Sequence, residues 1–290
     1  MIIAVASGKG GTGKTTIAVN LAYSIGDAQL LDCDVEEPNA HLFLKPDIQM
    51  NETVGVPVPA VDASRCSGCG RCGEVCAYSA IVVIDKRVAV FPDLCHGCGA
   101  CAYFCPEKAI SENLWEIGVV SSGRAGSISF AQGLLNIGRP MAVPVIRKVK
   151  ERIESGRTVI LDAPPGVSCP VVETVKGADF CVLVTEPTPF GLNDLTIAAA
   201  MVRAIGVPFG VVINSSSIGD DGVSTYCARE GIPVLLSLPW DRRIAEEYSA
   251  GRLIIQRLPE YHESFHDLFE SIKSVKANLS RHEATHGNKR

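Results

Sequence analysis

The stretch SGKGGTGKTT, residues 7–16, constrains the fold more than any other part of this sequence. The pattern G-x-x-x-x-G-K-[ST] is filled by Gly8, Gly13, Lys14 and Thr15. In this pattern glycines bring backbone N–H groups to phosphate oxygens, the lysine reaches the terminal phosphates and the hydroxyl binds Mg²⁺. The apolar run MIIAVAS precedes it, and TTIAVNLAYSI after it has helical periodicity. A strand, a glycine loop and a helix start therefore predict a phosphate-binding site.

The same strand–helix pattern continues near the other end of the chain. TVILDAPPG (158–166), FCVLVTEP (180–187) and FGVVINSS (209–216) are typical of strands, and LNDLTIAAAMVRAI (192–205) of a helix. Strands alternating with helices predict an α/β fold with a doubly wound, mostly parallel sheet covered on both faces. The polar residues from about 276 to 290 are predicted to be frayed.

Composition excludes several classes of protein. A chain of 290 residues with 47% hydrophobic residues can build a large domain and a small module. The net charge of −5 and the lack of a basic block argue against a nucleic-acid partner. The amino terminus runs straight into the first strand, and no apolar run approaches the ~20 residues of a membrane span. We predict a cytoplasmic protein without a membrane anchor.

Eight of the 12 cysteines form two identical arrays between residues 66 and 105. Each array has the spacing C-x₂-C-x₂-C-x₃-C of bacterial two-cluster ferredoxins. In those proteins the fourth cysteine of each array binds the other cluster. The resemblance therefore assigns one [4Fe–4S] cluster to Cys66, Cys69, Cys72 and Cys105. It assigns the second to Cys76, Cys95, Cys98 and Cys101. The alternative is a pair of zinc sites, although zinc usually takes cysteine pairs separated by a longer span.

The arrays predict a module inserted in the α/β domain. Gly68, Gly70, Gly97 and Gly99 permit compact turns between the cysteines. Between the arrays AIVVIDKRVAV predicts a β-hairpin. Pro106 follows Cys105 as the ferredoxin pattern expects, but Ala77 follows Cys76. We predict an α/β domain in two parts, 1–57 and 113–290, with a two-cluster ferredoxin module at 58–112.

Taken together, GKGGTGKTT, LLDCDVEEPN, LDAPPG, VVINSS and LPWD resemble the MinD/ParA superfamily of P-loop ATPases, which includes Mrp-type iron–sulfur carriers and the nitrogenase iron protein. The chain is most similar to members with an inserted ferredoxin domain. The resemblance implies ATP or ADP with Mg²⁺, two [4Fe–4S] clusters and an ATP-dependent homodimer. It also explains Lys9, since in this deviant Walker A loop the early lysine reaches the phosphates of the partner subunit's nucleotide and stabilises transferred charge.

The resemblance carries roles to further residues. Catalysis falls to Lys9, Lys14 and Asp34, with Asp34 orienting the attacking water. Mg²⁺ is expected at Thr15, Asp32 and Asp162, largely through its waters. The phosphates are expected at Gly8, Lys9, Gly10, Gly11, Thr12, Gly13, Lys14, Thr15 and Thr16, with Gly166 as the switch glycine. Adenine is expected at Asn214 and at the stretch from Pro239 to Asp241.

Two functions remain open from the sequence. The first is an ATP-gated electron carrier that passes electrons to or from a redox partner. The second is an assembly or positioning ATPase whose clusters are structural or delivered to an acceptor protein. An ATP-dependent amidoligase would leave eight cysteines without a role. Cys33, Cys181 and Cys227 are expected to be buried, and Cys169 either packs beneath Pro170 or lies at a subunit seam.

Overall fold

The computed structural model describes residues 1–286. Its strands are β1 (Ile2–Ala6), β2 (Ala28–Asp32), β3 (Asp47–Val61), β4 (Ile81–Ile84), β5 (Arg87–Val90), β6 (Ile110–Ala125), β7 (Ile128–Leu135), β8 (Thr158–Asp162), β9 (Phe180–Thr185), β10 (Phe209–Ile213) and β11 (Val234–Ser237). Its helices are α1 (Lys14–Ile25), α2 (Ala40–Leu44), α3 (Arg71–Glu74), α4 (Ala100–Tyr103), α5 (Val143–Lys150), α6 (Cys169–Val175), α7 (Pro189–Ile205), α8 (Gly222–Glu230), α9 (Arg242–Ser249), α10 (Ile254–Arg257) and α11 (His262–His286).

The main sheet has the strand order β11-β10-β9-β1-β8-β2-β7-β6-β3. The pairings from β11 to β7 are all parallel, and β1 lies between β9 and β8. Every residue of β2 and β9 is buried, as expected for strands covered on both faces. The prediction of a doubly wound parallel sheet is confirmed.

The chain forms two compact units. The first contains Met1–Asn51, Val120–Leu134 and Ile146–Arg290, and the second contains Glu52–Val119 and Leu135–Val145. In the second unit β4 and β5 pair antiparallel, with Ile81 opposite Val90, so the predicted hairpin is present. The chain passes from the first unit to the second within β3 and returns within β6. It enters the second unit again at Leu135 and leaves it after Val145.

Long strands were missed between the recognised motifs. The sequence assigned no element to residues 113–157, where most of β6 and all of β7 and α5 lie, nor to residues 54–64, most of which belong to β3. Pro57 and Pro59 argue against a strand at this position in the sequence, because proline has no N–H to donate to a neighbouring strand. They are tolerated since β3 is at the edge of the sheet.

The chain ends in a long helix. Residues 276–286, expected to be frayed, are the last turns of α11, and 287–290 lie outside the described residues. Earlier in this helix Phe265, Leu268 and Ile272 are fully buried in the core of the first unit. Among residues 1–286, no helix combines the length and apolarity that a membrane span needs.

Candidate nucleotide site and thiol cavities

The carboxyl ends of the parallel strands meet at one edge of the sheet, where doubly wound folds bind ligands. The glycine loop follows β1, Asp34 follows β2, and Gly166 follows β8. Asn214 follows β10 and the segment Pro239 to Asp241 follows β11. The fold thus brings the sequence-predicted residues of the first unit to one edge.

The loop between β1 and α1 depends on its glycines. Gly13 has φ +91°, and a Cβ there would lie 2.6 Å from Asn214 Nδ2. A Cβ on Gly8 would lie 2.3 Å from the carbonyl oxygen of Asp194 in α7. Gly8 is needed because a side chain would clash with the backbone of α7, and Gly13 because its positive φ strains any other residue.

Lys14, the first residue of α1, is the cation at the centre of the site. Its side chain is 7% exposed. Burial lowers the pKa of its amine, while the charges of Asp162, Asp34 and Asp32 oppose this change. The lysine therefore lies among three carboxylates inside the protein.

Two of these carboxylates are fully buried. Asp32 accepts hydrogen bonds from the backbone N–H groups of Asp34 (3.1 Å), Asn39 and Ala40 (both 3.0 Å). By contrast, neither oxygen of Asp162 has a well-formed hydrogen bond within the described part of the chain, although the nearby Thr15 hydroxyl lowers its pKa. Burial nevertheless raises the pKa of both carboxyls, and the negative charge of a neighbouring aspartate raises each pKa further.

A divalent cation fits this set of groups. The buried oxygens of Asp162 need a positive partner, and Thr15 and Asp32 supply the oxygen ligands that Mg²⁺ prefers. Within residues 1–286, no three His, Cys, Asp or Glu side chains form a group that could hold a metal ion by themselves. Mg²⁺ usually keeps several waters and bridges to phosphate, so a full protein cage is not required.

Asp34 is placed differently from the other two aspartates, because it lines an open cleft. Burial raises the pKa of its carboxyl to about 6, and the Lys14 charge opposes this rise. A carboxylate that titrates near the working pH is suited to accept a proton or orient water.

The cleft has a volume of about 440 Å³. It is lined by Gly10, Gly11, Gly13, Lys14, Thr15, Thr16, Asp34, Glu37, Asn39, Pro165, Glu186, Asn214, Ser215, Pro239, Trp240, Asp241, Ile244, Ala245 and Tyr248. The predicted residues Gly8, Lys9, Thr12 and Gly166 do not line it. Lys9 instead pairs with Glu186, and the Gly166 N–H donates to the Ser7 carbonyl at 3.1 Å.

The side chains expected to contact adenine are engaged with the protein. Asn214 donates to the Thr12 carbonyl at 3.0 Å and accepts from the Ser215 N–H at 2.9 Å. Asp241 caps α9, and its hydrogen bonds from Arg243 lower the pKa of its carboxyl to about 2. The polar atoms of Asn214 and Asp241 thus organise the loop and the helix start.

Two aromatic side chains also line the cleft. Trp240 and Tyr248 are 54% and 43% exposed and offer aromatic surface beside Pro239 and Ile244. Trp240 lies inside the predicted stretch from Pro239 to Asp241, whereas Tyr248 and Glu186 were missed. Glu186 directly follows β9 at the same sheet edge, and this position was the available signal for it.

In the second unit the eight array cysteines line two separate small cavities. The first cavity is lined by Cys66, Cys69, Cys72 and Cys105, together with Gly68, Gly70 and Pro106. The second is lined by Cys76, Cys95, Cys98 and Cys101, together with Tyr78, His96 and Glu112. In each cavity the fourth thiol comes from the other array.

Both cavities present backbone N–H groups to sulfur. Ala80 N–H donates to Cys76 Sγ and Ala109 N–H to Cys105 Sγ, both at 3.3 Å. At Cys76 burial acts to raise the pKa of the thiol, but N–H groups from Tyr78 to Ile81 more than offset this and lower it. Gly68, Gly70, Gly97 and Gly99 all have positive φ values, between +63° and +84°, as the compact turns require.

Each cavity brings four thiols together, so the second unit offers two sets of four possible metal ligands. Zinc takes four thiolates around a single ion, whereas a four-iron cluster binds each thiolate to a different iron.

The remaining cysteines differ in exposure. Cys33, Cys181 and Cys227 are buried, as expected. Cys169, at the start of α6, is exposed, so the interpretation that it packs beneath Pro170 was wrong.

Comparison with known proteins extends this description. A family model for the CobQ/CobB/MinD/ParA nucleotide binding domain matches residues 3–254. An uncharacterised protein of Methanocaldococcus jannaschii is 28% identical, over 88% of this chain and 92% of that protein. An iron-sulfur cluster carrier protein of Pyrococcus horikoshii is 24% identical, over 87% and 78%. The structure of the septum site-determining protein MinD of Pyrococcus horikoshii, complexed with Mg-ADP, has the same fold, with a TM-score of 0.57, 17% identity and 92% and 93% coverage.

Proposed function

Because this chain belongs to the CobQ/CobB/MinD/ParA nucleotide-binding family, we propose that it is an ATPase whose nucleotide-driven dimer cycle controls electron transfer through two iron–sulfur clusters. The observation that carries this proposal is the pairing of a Lys14–aspartate cleft in one unit with two four-thiol cavities in the other.

The nucleotide half rests on the cleft. The loop N–H groups and Lys14 would bind the phosphates, and Thr15, Asp32 and Asp162 would hold Mg²⁺. Asp34 would orient the attacking water. The Mg-ADP complex of the structurally similar MinD supports this choice of ligand.

The cluster half rests on the cavities. Cys66, Cys69, Cys72 and Cys105 would hold one cluster, and Cys76, Cys95, Cys98 and Cys101 the other. A bound [4Fe–4S] cluster supplies one-electron redox chemistry. Complete sets of four thiols within one chain favour resident clusters, whereas the relative named as a cluster carrier supports delivery to an acceptor protein as the second candidate.

We expect Lys9→Ala to weaken ATP-driven dimerisation by about a hundredfold, because a charged contact to the partner subunit's phosphates, worth about 1.5 kcal/mol, is lost on each side. Sedimentation with Mg²⁺ and a non-hydrolysable ATP analogue measures this. Lys273→Ala on the surface of α11 should sediment as the wild type does. A wild-type chain that stays monomeric with the analogue bound would refute the dimer.

We expect Asp34→Asn to slow ATP hydrolysis by about a hundredfold, since a positioned carboxylate is lost.

The same change should raise the Tm of the apo protein by a few degrees at about pH 8. The pKa of this carboxyl is about 6, above its ordinary value of 3.8, so its ionised form destabilises the folded state. The destabilisation is fully present above pH 6 and disappears as the pH falls towards the ordinary value.

Melting curves across this range, with Asp267→Asn on α11 as the control for a lost surface charge, test the second effect. An Asp34→Asn chain that melts below the wild type at about pH 8 would show that the carboxylate stabilises the apo protein.

Electron transfer is tested with anaerobically reconstituted, dithionite-reduced protein. We expect the rate of cytochrome c reduction to differ between samples with ATP, with ADP and without nucleotide. Loss of iron to an apo-ferredoxin in response to ATP, with an unchanged rate of cytochrome c reduction, would favour the cluster-delivery function instead.

A further inference from the structure

Lys9 and Glu186 form an ion pair at the nucleotide cleft. Lys9 Nζ lies 3.3 Å from Glu186 Oε2, and the two side chains are 33% and 29% exposed. Glu186 lines the cleft and Lys9 does not. The carboxylate therefore draws the amine towards the cleft of its own subunit.

The backbone on both sides of this pair is fixed. The Ser7 hydroxyl donates to the Lys9 carbonyl at 2.6 Å, and Gly8 packs directly against Asp194. The Glu186 carbonyl accepts from the Thr188 N–H at 2.8 Å, and a Cβ on Gly191 would lie 2.2 Å from that oxygen. These contacts hold the backbone of both residues in place, so pairing costs side-chain entropy but little backbone entropy.

We propose that Glu186 is a positioning residue that holds Lys9 within its own subunit and so opposes dimerisation. This inference rests on the proposed function, in which Lys9 binds the phosphates of the partner subunit's nucleotide. In this proposal the amine leaves Glu186 when it binds the partner subunit's phosphates. Dimerisation must therefore break the Lys9–Glu186 pair in each subunit.

The size of the effect follows from symmetry. A partly exposed ion pair shifts an equilibrium by about two- to fivefold. A two-fold symmetric dimer breaks two pairs, so the factors multiply. Glu186→Gln, which keeps the shape and removes the charge, should strengthen dimerisation by about four- to twenty-fivefold.

Sedimentation equilibrium at saturating Mg²⁺ and non-hydrolysable ATP analogue tests this, since saturation removes any difference in nucleotide affinity. The matched control is Glu230→Gln, which breaks the Arg203–Glu230 pair (3.2 Å, side chains 44% and 31% exposed) outside the cleft lining. We expect this control to dimerise as the wild type does.

A second measurement separates the positioning role from a general charge effect. In a Lys9→Ala chain, Glu186→Gln should leave dimerisation unchanged, because there is no amine left to hold. Equal strengthening in both backgrounds would overturn the inference, as would a Glu186→Gln chain that dimerises no more tightly than the wild type. If the wild type itself does not dimerise, the proposed dimer cycle fails and the inference fails with it.

Discussion

The Lys14→Ala chain should bind Mg·ATP about a thousandfold more weakly than the wild type. A charged hydrogen bond to phosphate is worth about 1.5–3 kcal/mol. Its removal also leaves the charges of Asp32, Asp34 and Asp162 beside the phosphates with Mg²⁺ alone to compensate them. Like charges brought together cost several kcal/mol more, and each 1.4 kcal/mol is a factor of about ten in affinity.

Isothermal titration calorimetry with Mg²⁺ and a non-hydrolysable ATP analogue measures this loss. Lys273→Ala removes the same charge from α11, away from the cleft, and should bind as the wild type does. Melting curves would show whether the Lys14→Ala chain is folded. Binding by a folded Lys14→Ala chain within tenfold of the wild type would mean that the cleft is not the phosphate site.

Pairs of cysteine substitutions should remove either one cluster or both, depending only on which cavity each thiol lines. Cys66 and Cys105 line the first cavity, so Cys66→Ser with Cys105→Ser should reduce the iron of the reconstituted protein from about eight to about four per chain. Cys76 lines the second cavity. Cys66→Ser with Cys76→Ser should therefore abolish both clusters, although both thiols belong to one array.

The two double variants are each other's control, because both remove two thiols from the same module. Iron analysis and absorption near 400 nm after anaerobic reconstitution measure the outcome. The opposite result, one cluster lost with Cys66→Ser and Cys76→Ser and both lost with Cys66→Ser and Cys105→Ser, would mean that each array binds its own cluster. Stoichiometric zinc with no recoverable iron would refute both arrangements.

Local patterns predicted much of this molecule. The strand, glycine loop and α1 are readable from residues 1–25 because a short apolar run, fixed glycines and helical periodicity all lie close together in sequence. The cysteine spacing and its resemblance to ferredoxins predicted which thiols share a cavity. The parallel sheet followed from the alternation of buried strands and helices.

What the sequence missed depended on tertiary contacts. β3 contains Pro57 and Pro59 and is recognisable only once its place at the sheet edge is known. The Lys9–Glu186 pair joins two loops that are 177 residues apart, and no local signal relates them. The engagement of Asn214 with the Thr12 carbonyl likewise requires β10 to lie two strands from β1.

The central position of β1 also has a consequence for biosynthesis. β1 is made first, but its two neighbours, β8 and β9, are complete only after residue 185 has left the ribosome. All residues of the second unit have been synthesised by Val145. Chains fold from the amino terminus during synthesis, and distant strand pairings form slowly. The eight thiols can therefore come together before the nucleotide cleft forms. In that state they are accessible to iron and to oxidants. Cluster assembly in the second unit can therefore precede formation of the nucleotide cleft. During that interval the thiols need protection from oxidation that does not depend on the cleft.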